Sequence, residues 1–73
     1  MAAVNILSEL NAIVLKIAVA NGDRVDADQE LIILESMKTE IPVASPRAGS
    51  VKEILVTEGE LVAERQPLLI LES

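Results

Sequence analysis

Apolar residues along this chain fall in short runs, such as Ile13-Val14-Leu15, Leu31-Ile32-Ile33-Leu34 and Leu68-Leu69-Ile70-Leu71. Gly, Asn, Asp and Pro residues separate them. Runs this short, rich in Val, Ile and Leu, predict buried or half-buried strands. No segment sustains the i, i+3, i+4, i+7 stripe of an amphipathic helix. The pattern predicts strands at about 3–8, 12–20, 24–26, 30–36, 39–44, 49–57, 61–63 and 67–72. Asn21-Gly22-Asp23 and Glu58-Gly59-Glu60 read as tight turns with glycine at positive φ. Pro46, within Ser45-Pro46-Arg47-Ala48-Gly49, breaks the pattern between strands and has no place in a central ladder.

The pattern repeats. Residues 14–36 align without a gap on residues 51–73, at an offset of 37, with 11 of 23 positions identical. The matches include Val14/Val51, Ile17/Ile54, Gly22/Gly59, Gln29/Gln66 and the whole of Ile33-Leu34-Glu35-Ser36 against Ile70-Leu71-Glu72-Ser73. Two copies are too few for a solenoid. They predict one all-β domain over 1–73, a flattened β-barrel of two four-stranded sheets with pseudo-two-fold symmetry, closed to protect its edges. Val14 stands three residues before Ile17, and Val51 three before Ile54. For all four to face inward, each copy needs a β-bulge, near 15–16 and 52–53.

Composition narrows the function. The 73 residues include no Phe, Tyr, Trp, Cys or His, so aliphatic side chains alone must fill the core. Disulfides, thiol chemistry, a histidine base and the usual zinc ligands are excluded, and no metal site is expected. Twelve acidic against six basic residues, net charge −6, disfavour nucleic acid, which needs basic contacts and stacking rings. No apolar run is long enough to span a bilayer, and the start lacks a basic leader. A soluble, monomeric, cytoplasmic domain is the expectation, and no converging nucleophile, base and oxyanion donors suggest an enzyme.

One turn breaks the local rules. Between the strands ending at Ser36 and starting at Thr39 only Met37 and Lys38 remain, yet two-residue hairpins favour Asn-Gly, Asp-Gly or Gly-X. A place where turn chemistry fails is a candidate site. On spacing alone, an ordinary solvated lysine is the plainer reading of Lys38, and Met37 reads either as a filler at the barrel end or as a soft surface for partners. Glu35 reads as an outward strand residue, because Glu72 holds the same place where no lysine follows.

Glu35-Ser36-Met37-Lys38 at a hairpin resembles the attachment motif of biotinyl domains, usually Glu-Ala-Met-Lys-Met. Gly22-Asp23-Arg24-Val25, Ser45-Pro46-Arg47-Ala48-Gly49 and Val51-Lys52-Glu53-Ile54-Leu55-Val56 before Glu58-Gly59 are similar to further family motifs, in the family's order. The likeness covers nearly the whole chain and is closest to the biotin carboxyl carrier domain and small biotin/lipoyl attachment proteins. Ser36 and Thr39 depart from the usual Ala and second Met, and Glu9-Leu10-Asn11-Ala12 stands where the second copy has Pro46 to Gly49.

The resemblance implies that Lys38 carries covalent biotin, flanked by Met37 and Thr39, with Glu35 and Ser36 completing the motif. It implies three partners: a biotin protein ligase, a biotin carboxylase and a carboxyltransferase. A lysine amine is almost wholly protonated near neutrality, so the ligase must remove the proton. The alternatives are a lipoyl carrier, whose turn is normally Asp-Lys-Ala, and an unmodified interaction module. Counting strand reversals places Glu58-Gly59-Glu60 and the Ser8-Glu9-Leu10 loop on the Lys38 side. Asn21-Gly22-Asp23 then lies with the termini. That predicts an acidic pole of Glu9, Glu35, Glu40, Glu58 and Glu60 around the lysine.

Overall fold

The computed structural model describes residues 2–73, and every regular element among them is a strand. They are β1 (Ala3–Leu7), β2 (Ala12–Ile17), β3 (Arg24–Val25), β4 (Glu30–Ser36), β5 (Thr39–Ala44), β6 (Gly49–Ile54), β7 (Leu61–Val62) and β8 (Pro67–Glu72). They form two four-stranded antiparallel sheets, ordered β1-β8-β6-β3 and β5-β4-β2-β7. Shifting by 37 residues carries β2, β3 and β4 onto β6, β7 and β8, and β1 onto β5. The two sheets are therefore copies of each other, strand for strand. The short strands are exchanged: β3 pairs with β6 of the second repeat, and β7 with β2 of the first. Neither repeat completes a sheet alone.

The expected bulges are present. The β2–β4 register shifts between Val14 and Lys16, and the β6–β8 register between Val51 and Glu53, leaving Leu15 and Lys52 as the extra residues. A second symmetric pair, at Leu31 and Leu68, follows from the shifts in β4–β5 and β1–β8. It turns two successive side chains inward, so Leu31, Ile32, Leu68 and Leu69 are all fully buried. With Val14, Val25, Leu34, Val51, Val62 and Leu71 they make a core with no rings in it.

Two strands stop earlier than the apolar pattern suggested: β2 at Ile17 rather than 20, and β6 at Ile54 rather than 57. The reason is competition for backbone donors. Ala18 N–H and Leu55 N–H bond to the Leu31 and Leu68 carbonyls. Then the Asp23 carboxylate accepts from Ala20 N–H at 2.9 Å and the Glu60 carboxylate from Thr57 N–H at 3.0 Å, closing turns instead of extending the ladder. The identical Gln29 and Gln66 act alike, their side-chain oxygens accepting from Asp26 and Ala63 N–H, both at 3.0 Å.

The repeat also extends ahead of the aligned residues 14–36. Ser8 and Ser45, 37 apart, are each 1% exposed, and each hydroxyl donates to the carbonyl two residues on, Leu10 and Arg47, at 2.6 Å. The molecule measures 36 × 18 × 17 Å. The Met37-Lys38 hairpin closes one end of the β4–β5 ladder. The other end holds the Ala44–Gly49 connection, where Arg47 reaches Ser73, and both chain ends, where Ser73 N–H donates to Ala2 carbonyl at 3.0 Å.

Candidate functional site

Ser36 and Thr39 face each other as the last ladder pair of β4 and β5, so Met37 and Lys38 alone make the turn. Their φ angles are +52° and +65°. Two left-handed central residues give a hairpin turn whose twist matches the strands, but neither residue is a type that adopts it freely. Left-handed backbone costs an L-residue about 1–2 kcal/mol. The pairing on both sides holds the turn in this form. Beneath it, Leu34 is anchored in the core. Lys38 is exposed and held on a base of two laddered strands.

Met37 is 95% exposed, which removes the filler reading. Ser36 is half-buried and Thr39 exposed. Glu35 points outward between Ile13 and Glu40. All five residues singled out from sequence thus sit in or against one hairpin. Beside it runs a shallow groove of about 560 Å³, lined by Asn11, Ile13, Met37, Leu61 and Gln66 among others. Sequence motifs gave no hint of Ile13 or Leu61. The available clue was their mismatch with Ser50 and Arg24 at the equivalent repeat positions.

The acidic pole needs revision. The Ser8–Leu10 loop is at the hairpin end as expected: Ser8 N–H bonds to the carbonyl of Gln66, which lines the groove with Met37. Asn21-Gly22-Asp23 lies in the half nearer the termini, Gly22 N–H bonding to Val51 opposite Leu71. Glu58-Gly59-Glu60 does fall in the Lys38 half but on its flank. Gly59 N–H bonds to Val14, whose partner Leu34 lies four residues before Lys38. The Glu58 carboxylate accepts from Ile17 N–H at 3.0 Å, farther still from the hairpin, and Glu60 caps its own turn. These two acids serve the backbone. Glu35 and Glu40 are the ones against the lysine turn. Among the described residues no cluster of three or more acidic side chains is arranged to hold a metal ion.

A hairpin that presents one lysine from a twofold-repeated, aliphatic barrel can now be compared with known proteins. The sequence profile described as "Biotin-requiring enzyme" matches residues 5–71. The chain belongs to the biotin/lipoyl attachment family. Attachment domains of this kind are carriers rather than catalysts. A Biotin/lipoyl attachment protein of Bacillus subtilis is 48% identical over 54 residues, 74% of each chain. The dihydrolipoyllysine-residue acetyltransferase component of the Pseudomonas aeruginosa pyruvate dehydrogenase complex is 42% identical over 59 residues, 81% of this chain but 11% of that protein. Among solved structures, the Kluyveromyces lactis urea carboxylase superposes with a TM-score of 0.90 at 32% identity, over 97% of this chain and 6% of that one. Whole multidomain relatives are thus far longer than this attachment unit.

Proposed function

We propose that Lys38 is the attachment point of covalent biotin. The domain then carries carboxyl groups between the biotin carboxylase and the carboxyltransferase of a biotin-dependent carboxylase, in a cytoplasmic setting. The observation that carries this reading is the hairpin, whose exposed two-residue tip, Met37-Lys38, is kept in left-handed backbone. An exposed amine at such a tip fits an acyl group added from outside, because a modifying enzyme can enclose the turn without opening the core. Urea carboxylase as a structural neighbour supports biotin. The Met-Lys pair does so too, since lipoyl turns normally read Asp-Lys-Ala. The acetyltransferase relative favours lipoyl carriage as the second reading.

The chain itself supplies attachment and aim. It has no histidine to take the proton from Lys38. A biotin protein ligase therefore supplies biotinyl-adenylate and the base. The lysine nitrogen–acyl carbon bond forms, AMP leaves with the bonding electrons, and the amine proton passes to the ligase. Bound biotin supplies a ring nitrogen that accepts and releases a carboxyl group. The ladder pairs Ser36–Thr39 and Glu35–Glu40 fix the direction in which the arm leaves. Tethering then raises the local concentration at both partner sites to the mM range when the reach fits. Intact mass after co-expression with a biotin protein ligase, run in parallel with a lipoate ligase, tests the reading. One biotinyl increment mapped to Lys38 is expected. A lipoyl increment alone, or none, overturns it.

A further inference from the structure

One cross-strand row crosses the outer face of the sheet beside the hairpin. Leu61 pairs with Ile13, Ile13 with Glu35, and Glu35 with Glu40. The repeat provides an internal control, because the equivalent row of the other sheet reads Arg24, Ser50, Glu72, Ala3. A fold that accepts Arg and Ser at those places does not require Leu and Ile. Leu61 is nevertheless 75% exposed and Ile13 40%, next to Met37 at 95%. Apolar surface left in water contributes nothing to the stability of the domain that exposes it. Glu35 and Glu40 are also unfavourable to the isolated domain, since like charges directly opposite across a ladder repel. Their counterpart Glu72 faces Ala3 instead. Both features sit on the row one ladder step from the Ser36–Thr39 pair that closes the hairpin, and neither occurs on its mate.

The geometry decides which kind of partner reads this row. An enzyme acting on the bare amine must bring its active site within one lysine side chain of the turn, and so must touch residues a single ladder step away. An enzyme acting at the far end of a loaded arm stands farther off. We infer that Leu61, Ile13 and Met37, with Glu35 and Glu40 beside them, form the docking face for the ligase that modifies Lys38. The ligase surface that matches is an apolar contact flanked by Arg or Lys. Burying Leu61 and Met37 there recovers the exposed apolar area, and the basic flank relieves the Glu35–Glu40 repulsion. This inference rests on Lys38 being the acceptor.

The test uses the residues that the fold already accepts at the mirror positions. Leu61→Arg, Ile13→Ser and Glu40→Ala each install the equivalent residue, and Arg24→Leu/Ser50→Ile makes the mate row apolar as a control. Labelling by biotin protein ligase with biotin and ATP is measured at steady state, with thermal melts to verify folding. Leu61→Arg and Ile13→Ser are expected to lower kcat/KM about tenfold or more, mainly through KM, as loss of a central apolar contact does. Glu40→Ala is expected to flatten the salt dependence of the rate, and the mirror control to label as wild type does. If Leu61→Arg fails to fold, Ile13→Ser and Glu40→Ala decide the matter. Wild-type kcat/KM in the folded strip variants, or an equal effect of the mirror control, overturns the docking face alone. A wild-type domain that takes up no biotin overturns the carrier reading and the docking face with it.

Discussion

Met37→Gly separates what the turn costs from what it is for. Met37 holds φ +52° and is 95% exposed, so glycine gives up almost no buried surface. Relief of the left-handed conformation returns about 1–2 kcal/mol. The looser unfolded chain of glycine takes back about 0.5–1 kcal/mol. Across these ranges the net gain is about 0–1.5 kcal/mol, and at roughly 4–8 °C per kcal/mol for a domain of this size the melting temperature rises by up to about 12 °C. The chain has no Trp or Tyr to report by fluorescence, so circular dichroism or calorimetry is the assay. Labelling by biotin protein ligase is expected to slow in the same variant, since an apolar contact beside the acceptor is lost. A melting temperature that falls refutes the strain argument. Unchanged labelling refutes the role given to the Met37 side chain.

Three further outcomes are expected. Lys38→Arg keeps the charge and the fold but abolishes biotin incorporation; continued labelling, read by intact mass, would show that Lys16 or Lys52 accepts the group. Gly49→Ala places a Cβ 2.6 Å from the backbone oxygen of Glu72, and the forced shift costs about 1–3 kcal/mol in a denaturant melt. The equivalent position already holds Ala12, so the two sites should respond in opposite senses to Gly/Ala exchange. Ser8→Ala and Ser45→Ala each remove one buried hydroxyl bond of the same geometry; each is expected to cost about 1 kcal/mol, and clearly unequal losses would mean that the two loops are not energetic equivalents.

What could be read from the sequence was what repetition and periodicity encode. Val14 and Ile17, three apart in both copies, foretold the bulges at Leu15 and Lys52, because only an added residue lets such a pair share a face. Leu31 and Leu68 escaped notice because consecutive apolar residues in a buried strand show no phase to break. Strand ends at Ile17 and Ile54 were hidden for another reason: Asp23 and Glu60 take the next backbone donors, and an acid three residues downstream carries no periodic mark. At the site, Met37-Lys38 stood out by being wrong for its turn. The neighbours Ile13 and Leu61 are ordinary strand residues in their own context, and only the pairing of β7 with β2 brings them beside the hairpin.

The first and last described residues are joined by a hydrogen bond at the end of the molecule away from the lysine. Any polypeptide attached there, ahead of Ala2 or after Ser73, pulls from the same point. Seen from such a tether, the domain, 36 Å in its longest dimension, stands on its foot with the lysine hairpin at the far end of the β4–β5 ladder. Which terminus is spliced changes little in the volume swept by the tip. The unit can therefore be moved between chain contexts, appended in front, behind or inserted within, and the reach of its lysine travels with it unchanged.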